Sequence, residues 1–182
     1  MICSRVLVVV VAWCGGLQAA DSPTPSEKLA KHLGPAVVDV LKRVEKIEAF
    51  KVGDLDPKAV GDKDRVSGRL IAGLAVGLNK EQTAELLQSL LADETYFRAS
   101  SLGTTKAAVG YRIWTDRKEC LEFSCCLNKG NLRLTLKDPS GNVTLDRGIG
   151  GFRDDKASKM RTIAAALFPD DKDIVGAVPA KK

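Results

Sequence analysis

Residues 109–146 limit the fold more than any other part of the chain. They read VGYRIWTDRKECLEFSCCLNKGNLRLTLKDPSGNVTLD, with apolar and polar residues alternating between breaks at 115–118, 128–130 and 138–141. A period of two sends successive side chains to opposite faces of a strand. Each break is rich in Asp, Asn, Gly, Pro or Lys, the residues that turn a chain. The pattern predicts four short antiparallel strands joined by tight turns. Leu121, Phe123, Cys125 and Leu127 share a face on the second strand, Leu132, Leu134 and Leu136 on the third, and Val143 and Leu145 on the fourth. Glu122, Ser124, Arg133, Thr135 and Thr144 occupy the other. The division predicts one face covered by helices and one face wet.

Upstream, Ser26 is placed to cap a short helix over 27–33, ended by Gly34-Pro35. Val37, Val40, Leu41 and Val44 form the stripe of a second helix over 36–43. Residues 46–52 read as a strand, 53–64 as a polar loop, and 66–72 as one weak strand. Asn79 with Gln82 three residues on has capping-box spacing, and Leu86, Leu87, Leu90 and Leu91 give that helix a stripe that must be buried. Asp154 or Asp155 opens a last helix to Leu167, with Met160, Ile163 and Ala164 on its apolar side. The expected fold is α+β, an antiparallel sheet of five to six strands with helices packed mainly on one face.

Residues 1–20 look like a targeting segment: Arg5, an apolar run over 6–13, then small residues up to Ala19 and Ala20. That is the pattern of a secretory signal peptide cut near Ala19 or Ala20. Lipid anchoring at Cys14 fits less well, because Trp13 stands where such signals carry a small residue. The expected location is therefore secreted or periplasmic, with no transmembrane helix. Residues 21–35 read as linker and short helix, 36–175 as one α+β domain and 176–182 as a tail. The net charge is +5, and removing residues 1–20 takes away Arg5 and no acid. Both signs are mixed along the chain, which argues against a nucleic-acid partner.

The candidate chemistry is sparse. Cys120, Cys125 and Cys126 lie on one predicted strand, too far apart or too directly adjacent to bridge one another. Cys120 and Cys126 fall on the wetter face and are the candidate thiols, either reactive or joining two chains in a homodimer. His32, the lone histidine, sits in the first helix, far along the chain from them. Three cysteines pointing alternately cannot close a zinc tetrahedron, so no metal is expected there. Asp54, Asp56, Asp62 and Asp64 could gather oxygens for calcium but lack the EF-hand register. Arg147, Gly148, Gly150, Gly151 and Arg153 precede a helix and are an anion-site candidate, opposed by Asp154 and Asp155 at that helix start. No nucleotide motif follows, and no cofactor is called for. Arg112, Trp114 and Glu122 on the wet face form the candidate contact surface.

The order of elements, with residues 90–96 (LLADETY), 120–132 and 167–174 (LFPDDKDI), resembles a group of secreted bacterial proteins with no assigned function. The resemblance implies export and a cysteine-bearing antiparallel sheet. That group carries a further cysteine before the sheet and a Cys-x-x-Cys on the strand. Here residues 104–109 hold none, and Cys125 and Cys126 are adjacent. Taken together, the sequence suggests a non-enzymatic binding or accessory protein of the cell envelope with an unknown envelope or extracellular partner. The alternative is a thiol-dependent protein using Cys120 or Cys126.

Overall fold

A computed structural model describes residues 24–96, 108–127, 131–149 and 154–176. Helices α1 (Glu27–Leu33) and α2 (Pro35–Lys42) lead into a long strand, β1 (Val44–Leu55). Short strands β2 (Arg65–Val66), β3 (Arg69–Ile71) and β4 (Val76–Gly77) follow, then α3 (Lys80–Leu90). The meander is β5 (Ala108–Thr115), β6 (Cys120–Cys126), β7 (Asn131–Lys137) and β8 (Val143–Ile149), closed by α4 (Asp154–Leu167) and α5 (Lys172–Val175). The eight strands form one antiparallel sheet in the order β2-β3-β1-β5-β6-β7-β8, with β4 beside β3 on β1.

The α+β class and the four-stranded meander are as expected, and the sheet is larger than the five to six strands predicted. The difference lies in residues 66–72. Ser67 and Gly68 both take positive φ, 46° and 79°, so the expected single strand folds into a two-residue hairpin. A short strand at 76–77 adds the rest.

Every helix contributes to the core on one side of the sheet. Leu29 and Leu33 of α1, Val37, Val40 and Leu41 of α2, Leu86, Leu87 and Leu90 of α3, and Met160, Ile163 and Ala164 of α4 meet Tyr111, Ile113, Leu121, Phe123, Cys125 and Leu134. Thus α1 packs with the residues expected after position 36. The Asn79–Gln82 capping box forms in full. Past α4, in the charged segment at the end of the domain, Asp171 caps α5 and Ile174 is buried. On β8 a bulge between the Leu136 and Lys137 pairings sets Val143 opposite Lys137. Val143 is therefore exposed and does not share the buried face with Leu145.

The second face is covered over β6 but stays open along β8, where Thr144 and Asp146 are exposed. All seven residues of β6 are buried. Residues 56–68 fold back over this face as a strap. Their clearest seat is Gly110 on β5, where a methyl would stand 2.8 Å from Val52 Cγ1 and 2.9 Å from Val66 Cβ and Cγ1. Farther along, a Cβ on Gly61 would lie 3.1 Å from Val143 Cγ2. Phe50, Val52, Val66 and Ala108 form a small second core there, with Ile71 against it.

Candidate functional site

Strand alternation puts Lys46, Glu48, Arg112, Glu122 and Lys137 on the strap side, and register aligns them. Glu48 pairs with Arg112, and Arg112 pairs with Glu122. The result is a row of alternating charge across four strands. Glu122 is its centre and is fully buried. Its Oε1 accepts from Arg112 Nε at 2.9 Å and Lys137 Nζ at 2.8 Å. Its Oε2 accepts from the backbone N–H of Ser67 at 3.0 Å. Arg112 Nη2 donates to Lys63 O at 2.7 Å and Arg65 O at 2.9 Å, and its guanidinium lies 5.1 Å from the Phe50 ring centroid. A buried carboxylate needs this much compensation to remain charged. The cluster therefore ties the strap to the sheet, and Glu122 is fully buried beneath it.

At the rim, Trp114 Nε1 donates to Glu48 Oε2 at 3.1 Å, and Lys46 Nζ lies 2.8 Å from Glu48 Oε1. Burial pushes the Glu48 carboxyl up, but the bonds from Lys46 and Trp114 outweigh it and hold the pKa below its ordinary value. Trp114 stays partly exposed. Arg112, Trp114 and Glu122 thus share a face, as the alternation implied. Glu122 is sealed, while Arg112, engaged under the strap, and Trp114 both stay partly exposed.

The candidate thiols also lie inside. Cys120 and Cys126 are 3% and 2% exposed, against the expectation of a wetter face. Burial, then the Glu122 charge, pushes the Cys120 thiol up to about 12, and burial does the same for Cys125 on the helix side. Protonated thiols are poor nucleophiles. His32 packs edge-on against Tyr96 at 5.7 Å on the helix side, across the sheet from Cys120 and Cys126.

Of the anion-site candidates, Arg147 and Gly148 are strand residues opposite Leu134 and Arg133, not part of a loop. Gly150, Gly151 and Arg153 lie outside the described residues. Two of the four carboxylates of the Asp-rich loop serve its own turns. Asp56 accepts from Lys58 N at 3.0 Å, and Asp62 from Asp64 N at 3.3 Å. Among the described residues no three His, Cys, Asp or Glu side chains group as metal ligands, and no helix is long and apolar enough to cross a membrane.

The sequence reading missed the feature that stands out on the surface. Residues 70–78 (LIAGLAVGL) carry no charge, and Leu74 is 90% exposed with Leu70 at 48%. The signal was the uncharged run itself, of which only residues 70–72 fell in the expected weak strand and 73–78 carried no assignment. No family model, curated protein or solved structure matches this chain.

Proposed function

We propose that the protein is an exported, non-enzymatic binding or accessory protein of the cell envelope. The single observation that carries this reading is Leu74, 90% exposed within an uncharged nine-residue segment. Burying a leucine side chain is worth about 1.5–3 kcal/mol, a gain the free chain forgoes and a partner recovers. The export-type pattern of residues 1–20 and the resemblance to secreted proteins set the compartment of this proposal. Trp114 at the rim is a second contact point.

In the alternative, a thiol-dependent protein, Cys120 or Cys126 reacts or joins two chains. It requires the strap to open first, since both thiols are buried in the folded chain.

A photo-crosslinking residue in place of Leu74 tests the binding reading in cells that express the protein. Adducts to an envelope component are the expected result. A chain that stays unmodified under illumination, while folded, overturns it.

A further inference from the structure

We infer that the Leu74–Ala75 peptide bond is a limited-proteolysis site, cut by an endoprotease with an apolar specificity pocket, and that the cut chain stays one folded body. This goes beyond the contact role proposed above and does not depend on it.

An endoprotease requires more than an exposed side chain. It takes several residues of backbone, free to lie extended in its cleft, beside a pocket for the side chain before the cut bond. Residues 72–75 supply that backbone. Ile71 pairs with Val52 and Val76 pairs with Ala49, so residues 72–75 face only residues 50 and 51 of β1 and bulge from the sheet. Ala72 N–H donates to Lys51 O at 2.9 Å, but residues 73–75 make no hydrogen bond among the described residues. All four are exposed. A Cβ on Gly73 or on Gly77 would meet nothing within 4 Å, so nothing crowds the approach.

Leu74 supplies the apolar side chain. The other exposed large apolar residues, Leu55, Leu70, Val143 and Val175, lie in strands or a helix. Their hydrogen-bonded backbone cannot enter a cleft until the element opens. Among the described residues, position 74 is where an exposed large apolar side chain and an unpaired backbone coincide.

The free segment can also lengthen. Strand β4 holds to β1 by two pairings, Glu48–Gly77 and Ala49–Val76, and Leu78 N–H donates to Ile47 O at 3.2 Å. Peeling it away frees residues 72–78 and uncovers two partly buried side chains, Val76 and Leu78. Firm limits lie on either side. Ile71 N–H donates to Asp64 O at 2.9 Å, and the Asn79–Gln82 capping box opens α3.

Hydrolysis adds one water across the bond, leaving a carboxylate on Leu74 and an ammonium on Ala75. The two pieces stay joined elsewhere. Strand β1 pairs with β5 from Val44–Thr115 to Lys51–Val109. Ser67 N–H donates to Glu122, and the carbonyls of Lys63 and Arg65 accept from Arg112. Leu29, Leu33 and Val37 share a core with Leu86, Phe123 and Met160.

The test is brief digestion of the full folded chain with chymotrypsin, read by mass. The first cut is expected after Leu74, with the two fragments co-eluting on gel filtration and separating in urea. Ala75→Pro keeps Leu74 but fixes the backbone after it, and this first cut should be lost. Leu74→Asp removes the apolar side chain and should lose it too. An unchanged melting curve shows that each variant folds, and either one alone suffices for the test. A first cut elsewhere, fragments that part without denaturant, or an undiminished cut in a folded variant overturns the inference.

Discussion

On the helix side of β6, Leu121, Phe123 and Cys125 join a core fed by all five helices, and Phe123 stacks on Tyr111 at 4.6 Å. On the strap side, Cys120, Glu122, Ser124 and Cys126 are equally buried, yet the apolar cluster there is four residues and beside it lies the buried Glu122 carboxyl group. Apolar burial is roughly proportional to area and indifferent to direction, so it suits five helices laid over a wide face. The strap has little apolar area to offer. Its position is fixed instead by hydrogen bonds aimed from Glu122 and Arg112 at its backbone, at Ser67 N, Lys63 O and Arg65 O. The helix side thus supplies stability, and the strap side supplies placement.

Phe123→Ala should do the most damage. It removes a fully buried ring from the larger core and should cost about 4 kcal/mol, read as a drop in urea midpoint. A cost below about 2 kcal/mol would mean the helix side is not the main source of stability.

Next comes Glu122→Gln. It keeps the shape but leaves Arg112 and Lys137 without their counter-charge. Breaking a buried pair costs about 3–5 kcal/mol, and the lower end is expected because those two side chains keep 17% and 11% exposure. The change should loosen the strap first, so Cys126 should react with a thiol reagent well before Cys125. Simultaneous labelling of both would mean that the two sides unfold as one unit.

Gly110→Ala tests the same seam by sterics. The added methyl meets Val52 and Val66 below 3.0 Å. Overpacking of this kind costs about 1–3 kcal/mol, and it too should favour labelling of Cys126 over Cys125. An unperturbed midpoint and labelling rate would show that the strap is not seated on Gly110.

These two sides also differed in how far they could be read from the chain. The helix side was legible because apolar period is local: Leu121, Phe123 and Cys125, or Leu86, Leu87 and Leu90, announce a buried face without reference to anything else. The polar face of β6 announces nothing comparable. Glu122, Ser124 and Thr135 read the same whether they face water or a polar strap, and the strap's anchors lie about 50 residues away, as the Ser67–Glu122 bond does. Ser67-Gly68 carried a hairpin signal that the surrounding strand pattern obscured. The bulge on β8 was invisible, since one extra residue at Thr144 reverses the facing of Val143 with no change in composition. The cap at Asp171 could have been read, but the run of charges around it carried no apolar stripe to mark a helix. Of the candidate site, the shared face of Arg112, Trp114 and Glu122 was legible. Their exposure was not, because exposure is set by chain segments distant in sequence.

The smallest expected effect separates two buried tyrosines within the helix-side core. Tyr96 donates its hydroxyl to Leu90 O at 2.9 Å, whereas the Tyr111 hydroxyl is buried with no hydrogen-bond partner among the described residues. Burial pushes both hydroxyl pKa values up. A hydroxyl without a partner in a core has lost its water and gained nothing in return. Tyr111→Phe should therefore leave stability unchanged or raise it by up to about 1 kcal/mol, and Tyr96→Phe should lower it by about the same amount. Both are read as urea midpoints with unchanged slope. A loss at Tyr111 equal to that at Tyr96 would mean that its hydroxyl is satisfied after all, by a water held between the sheet and the helices. The helix-side core would then carry a polar anchor of its own, and its contrast with the strap side would narrow.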